Sequence, residues 1–157
     1  MTRPVRYLED FAPGMELEFG DRLVTAEEVV AFAREYDPQP FHLDEAAGKA
    51  THFGGLVASG WQTAGFMMRM LVDHMLSPQT SLGSPGLDEL RWLKPVRPGD
   101  RLRVRVRIQE VKRSRSRPEM GTIRQTTEVL NQKDEVVMST ISIGMVRARA
   151  IPEISAG

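Results

Sequence analysis

Residues 58–76, ASGWQTAGFMMRMLVDHML, constrain the fold more than any other stretch of the chain. Ser59 reads as a helix N-cap and Ser77-Pro78 as the stop. Between them Gln62, Arg69 and Asp73 fall on one narrow stripe, and most of the remaining circumference is apolar. A helix of that kind is expected to be buried on nearly all sides. A chain of 157 residues encloses one sizeable core, so the other elements have to wrap around this helix.

The second half of the chain supplies the wrapper. RLRVRVRIQEV alternates strictly: Leu102, Val104, Val106 and Ile108 face one way, and Arg101, Arg103, Arg105 and Arg107 face a solvated side. LDELRWLKPV precedes it as a strand; GTIRQTTEVLNQ and EVVMSTISIGMV follow it. Short connections such as RPGD and KDE make antiparallel pairing the expected arrangement. Nearer the N-terminus, ELEFGDRLVT reads as a strand. TAEEVVAFAREYD reads as a helix opened by a Thr25–Glu28 capping box and ended near Tyr36 by Pro38. The expected class is α+β: a single domain over 1–157, core about 8–148, with an antiparallel sheet curled around one long helix.

Composition excludes several function classes. Lysine plus arginine equals aspartate plus glutamate at 21 each, which gives no electrostatic reason to expect nucleic acid or an anionic membrane. There is no cysteine, so disulfides, thiolate catalysis and thiolate metal sites are out. His52 and His74 have no ligand-spaced partners, and no metal is expected. GGLVASG lacks the order of a phosphate loop or a dinucleotide fingerprint, and no redox cofactor is expected. MTRPVRYLEDFAPG has no apolar run of the signal-peptide kind, and polar residues interrupt 56–76, so a cytoplasmic location off the membrane is expected.

YDPQPFHLDEAA, 36–47, is the stretch where chemistry concentrates. It holds Asp37 and His42 on what reads as a proline-stiffened loop just beyond a helix C-terminus. Asp37-Pro38 by itself is an ordinary turn starter, and a turn needs no histidine. His42 is open to a structural reading as well as a catalytic one. Asp44 and Glu45 are expected to cap the next helical turn. The methionines at 67, 68, 70 and 75 are expected in the core, with an acyl pocket as the alternative. KRSRSRP, 112–118, is a local basic cluster for which coenzyme A phosphates are one target.

Together, YDPQPFHLDEAAGKATHFGGLVASGWQTAGFMMRML, RWLKPVRPGD, VKRSRSRPEMG and EVLNQKDEVVMS resemble the MaoC-like dehydratases, the family that includes the (R)-specific enoyl-CoA hydratases. The resemblance implies a hotdog fold in a homodimer or higher oligomer. It implies the catalytic pair at Asp37 and His42 and the oxyanion glycine at Gly60, with Gln39, Ser59 and Trp61 as candidate substrate contacts. Gln39 stands where (R)-hydratases carry asparagine, and FMMRM stands where they often carry a serine.

The activity so implied is reversible hydration of a trans-2-enoyl-CoA, or a related unsaturated acyl thioester, to the 3-hydroxyacyl-CoA, with no cofactor beyond the coenzyme A of the substrate. Hydration needs a proton taken from water as it attacks C3, a proton given to C2, and stabilisation of charge on the thioester oxygen. Asp37 and His42 suit the first two demands. The N–H groups opening the helix near Ser59 and Gly60 suit the third. The alternatives are a hotdog acyl-CoA thioesterase, in which water is aimed at the carbonyl, and a non-catalytic acyl-thioester-binding subunit.

Overall fold

The computed structural model describes residues 4–149. After a 3-10 turn at Leu8–Asp10, the order is β1 (Glu16–Leu23), α1 (Ala26–Tyr36), α2 (Pro40–Leu43), α3 (Glu45–Lys49), α4 (Gly60–His74), β2 (Gly86–Trp92), β3 (Arg101–Arg113), β4 (Met120–Leu130) and β5 (Val136–Arg147). The tail IPEISAG lies outside the described residues.

The strands form one five-stranded sheet in the order β1-β3-β4-β5-β2, every neighbouring pair antiparallel. The alternation in β3 places Leu102, Val104, Val106 and Ile108 at 1 % exposure or less. They meet Phe66, Met67, Met70 and Leu71 of α4 in one apolar core with Ile123, Val129 and Met138. The four arginines of β3 are not simply solvated. Arg101 pairs with Asp21, Arg103 with Glu18 and Asp134, Arg105 with Glu128, and Arg107 more loosely with Glu16. The acids come from β1, β4 and the β4–β5 turn, so the outer face carries a cross-strand charge ladder.

α4 differs from expectation in its surroundings. The sheet and α1 cover it on one side only, and Trp61, Met68 and Val72 remain 60 %, 45 % and 39 % exposed. Gln62 and Arg69 share a helix face, yet Gln62 is buried and Arg69 is exposed. The difference lies along the axis: the Gln62 amide is held against α1, donating to the Glu28 carbonyl at 3.0 Å, whereas two turns later Arg69 pairs with Asp73 at the surface.

The chain between α1 and α4 builds the wall of a cleft. Thr25 and Glu28 form the expected capping box, and Asp37 closes α1 by donating its N–H to the Ala33 carbonyl. Pro38 prevents continuation. Pro40 then sits in the first turn of α2, where its missing N–H is no loss. The expected loop is therefore two helix ends meeting, and His42 rides on a helical turn. Asp44 caps α3 as expected, accepting from Ala47 N–H at 2.9 Å. Glu45 does something else: its carboxylate accepts from Leu56 N–H at 2.9 Å. Strand β2 stops at Trp92, short of the expected end, because Leu93 and Lys94 both turn their N–H groups to the Val137 carbonyl.

Candidate active site

The segment leading into α4 is held from two sides. Val57 N–H donates to the Phe41 carbonyl at 3.1 Å, and Ala58 N–H donates to the Val96 carbonyl at 2.8 Å. This clamps α2, the start of α4 and the chain after β2 around a cleft of about 580 Å3. Five of the six residues singled out from the sequence line it: Asp37, Gln39, His42, Gly60 and Trp61. Ser59, the sixth, is fully buried behind the wall.

His42 has one defined tautomer when neutral. Its Nδ1 lies 2.7 Å from the Val57 carbonyl, which only accepts, so Nδ1 carries the proton. The Nε2 lone pair then faces the cleft, 3.3 Å from Asp37 Oδ2. Phe41 packs edge-on against the imidazole with ring centroids 4.5 Å apart. That packing and the buried Nδ1 bond leave the ring little freedom to turn.

Asp37 accepts from both flanks. Gln39 Nε2 donates to Oδ1 at 2.7 Å and Ser59 Oγ donates to Oδ2 at 2.7 Å. Burial by itself raises the carboxyl pKa, but the two hydrogen bonds and the nearby imidazole outweigh it, and the group sits below its ordinary value. Asp37 is therefore an acceptor at neutral pH, with the His42 Nε2 beside it as the group able to take a proton.

Ser59 occupies the N-cap of α4 but makes no side-chain cap bond, because its hydroxyl is committed to Asp37. At Gly60 the space a Cβ would fill is taken by Trp92, whose indole atoms would lie 2.5 Å from it. The Gly60 N–H has no acceptor among the described residues and stays available.

Sequence reasoning missed several wall residues. Phe53, Trp92, Lys94 and Arg97 line the cleft, as does His52, whose ring lies tilted against Phe53 at 4.1 Å between centroids. Spacing carried no sign of them because they come from two stretches far apart in the chain, 52–53 and 92–97. The basic cluster 112–118 does not line it: the β3–β4 hairpin lies at the far end of β3. Among the described residues no three His, Cys, Asp or Glu side chains are placed to hold a metal ion.

A family profile described as MaoC like domain matches residues 10–130, which takes in the whole cleft. The chain belongs to the MaoC-like dehydratase family. Its sheet and central helix are the hotdog fold of that family. A MaoC-like dehydratase from Rhodospirillum rubrum superimposes with a TM-score of 0.86 at 41 % identity, covering 92 % of this chain and 99 % of that one. A 3-hydroxybutyryl-CoA dehydratase of Methylorubrum extorquens is 32 % identical over 118 residues, 74 % of this chain and 73 % of the relative. The unliganded R-hydratase PhaJ1 of Pseudomonas aeruginosa shares the fold, with a TM-score of 0.70 at 24 % identity over 96 % of both chains.

Proposed function

We propose that this MaoC-like protein reversibly hydrates a trans-2-enoyl-CoA, or a related unsaturated acyl thioester, to the 3-hydroxyacyl-CoA. The observation that carries the reading is the pair of cleft-facing groups, His42 Nε2 and Asp37 Oδ2, 3.3 Å apart. One water can touch both. Asp37 orients it by accepting a hydrogen bond from one of its O–H groups, and His42 takes the proton of the other as the oxygen attacks C3. The imidazolium so formed, steadied by the adjacent carboxylate, returns a proton to C2. The Gly60 N–H, at the positive end of α4, is the donor for the thioester oxygen as negative charge gathers on it. Gln39 holds Asp37 from the other side, and Trp61 with Trp92 forms an aromatic edge at the mouth, ring centroids 5.0 Å apart. The chemistry asks for no metal or redox cofactor, since every step moves a proton.

The acting form is proposed to be a homodimer at least. Strand β2 is an open sheet edge, and Trp61, Met68, Val72, Leu87 and Trp92 are exposed apolar residues on α4 and β2. A second copy related by a twofold axis satisfies both. Among the described residues no helix is long and apolar enough to cross a membrane, and the proposed setting is cytoplasmic acyl-thioester metabolism.

Incubation with crotonyl-CoA tests the reaction. Loss of enoyl absorbance without free thiol supports hydration. Thiol release identifies a thioesterase, and saturable binding with neither change identifies an acyl-thioester-binding subunit. Activity that needs added metal or nicotinamide overturns the cofactor-free mechanism.

A further inference from the structure

Ser59 is completely buried, and its hydroxyl is placed between two parts of the cleft that come from distant stretches of chain. Its backbone belongs to α4: the Ser59 carbonyl accepts from Gln62 N–H at 3.0 Å and from Thr63 N–H at 3.2 Å. Its side chain belongs to Asp37, to which it donates at 2.7 Å. A serine at this position ordinarily turns its oxygen back on the first helical turn. Here that bond is absent, and the helix start forgoes it. The next residue is Gly60, whose N–H is unclaimed among the described residues.

We infer that Ser59 is a positioning residue: its hydroxyl holds Asp37 as an ionised acceptor at a set distance from the N-terminus of α4, so that the Asp37–His42 pair and the Gly60 N–H address one substrate. The inference rests on the hydration reading. It divides labour within that reading. Asp37 Oδ1 is occupied by Gln39 and one lone pair of Oδ2 by Ser59, which leaves the rest of Oδ2 for the water shared with His42. A carboxylate held in this way orients, and proton transfer falls to the imidazole.

Removing the hydroxyl has two consequences with a defined sign. Asp37 loses a donor that favours its charged form, so its carboxyl titrates at higher pH. It also gains freedom relative to α4, which weakens alignment in the transition state more than substrate binding. His42 on α2 is the titratable group in direct contact with Asp37, while His52, Lys94 and Arg97 line the same cleft. All four are the same in every variant compared, so the difference between variants isolates Ser59.

The experiment compares wild type, Ser59→Ala and Ser59→Cys, which nearly keeps the volume and retains a weak donor. Enoyl-CoA hydration is followed across pH, and the Asp37 carboxyl is titrated in parallel by carbon-13 NMR, assigned with Asp37→Asn. In Ser59→Ala the acid limb of kcat/KM and the carboxyl midpoint both move to higher pH. Its kcat falls about 10-fold while KM changes by less than about twofold. Ser59→Cys lies between, and it carries the test should the alanine variant not fold. Acid limb and midpoint unchanged in the folded variants overturn the inference, even with a loss of stability, because a merely structural serine would produce that pattern. Absence of hydration by wild type on every enoyl-CoA offered brings down the reaction reading instead. The NMR midpoint then judges the Ser59–Asp37 link by itself.

Discussion

Trp92 Nε1 donates to the Gly60 carbonyl at 2.8 Å, and its indole lies over the face of Gly60 where a side chain would begin. An aromatic from the edge strand thus closes over the first turn of the central helix, within the cleft that holds Asp37 and His42. Gly60→Ala keeps the backbone N–H and adds a methyl that Trp92 must yield to. It is expected to lower turnover by roughly 10-fold or more through displacement of the helix start. In a Trp92→Ala background the same change should cost much less, since residues in contact are not additive. Steady-state kinetics on the four proteins of this cycle, with tryptophan fluorescence as the local monitor, checks it. Equal effects of Gly60→Ala in both backgrounds would sink the steric account.

Asp37→Asn keeps shape and removes charge; His42→Ala removes the proton acceptor. Each is expected to reduce hydration by roughly 100-fold or more. The double mutant should be little worse than either single, because the two act on one water. Circular dichroism should be nearly unchanged in all three. Near wild-type turnover in either folded single mutant would return this stretch to the status of a turn.

The Asp37 carboxyl is held below its ordinary value in the fold. Its ionised form therefore contributes stability that is fully present above the unfolded pKa and is lost as pH falls through the folded one. Wild type should lose more stability than Asp37→Asn over that acid window and run parallel to it near neutral pH. Urea unfolding of both proteins at a series of pH values measures the difference. Parallel curves throughout would show that the hydrogen bonds from Ser59 and Gln39 do not favour the charged form.

Members of the charge ladder on the outer sheet face are not equivalent. Arg103 is less exposed and bonds Glu18 and Asp134, both at 2.6 Å, whereas Arg107 is largely exposed and 3.8 Å from Glu16. Arg103→Met should destabilise the protein by about 1 kcal/mol, and Arg107→Met by less than about 0.5 kcal/mol. Chemical denaturation in low and moderate salt separates them, with the Arg103 effect the less screened of the two.

Exposed Met68 and Val72 are predicted to lie between two copies of the chain. Met68→Lys combined with Val72→Asp should convert a dimer into a species near 17.6 kDa with its helix and strand signals intact. Light scattering coupled to gel filtration reads the mass. Wild type already at that mass at micromolar concentration would remove the oligomer from the proposed function.

Local pattern was enough for much of this protein. The alternation in β3 assigned its faces without any knowledge of partners, because a strand's side chains alternate whatever lies opposite. Thr25 and Glu28 announced the start of α1, and Pro38 its end, because caps and prolines act within a turn of chain. Asp37 and His42 could be singled out as a pair because both lie in one short stretch, 36–47, of the segments that carry the family resemblance. Tertiary structure decided what no period encodes. Gln62 and Arg69 occupy the same helix face and differ in burial because cover varies along the axis. Ser59 looked like a helix cap and became the partner of Asp37, 22 residues away; Trp92 reaches Gly60 across 32. A donor's choice between a nearby backbone group and a distant carboxylate depends on where folding brings the carboxylate, and that position is a property of the packed whole.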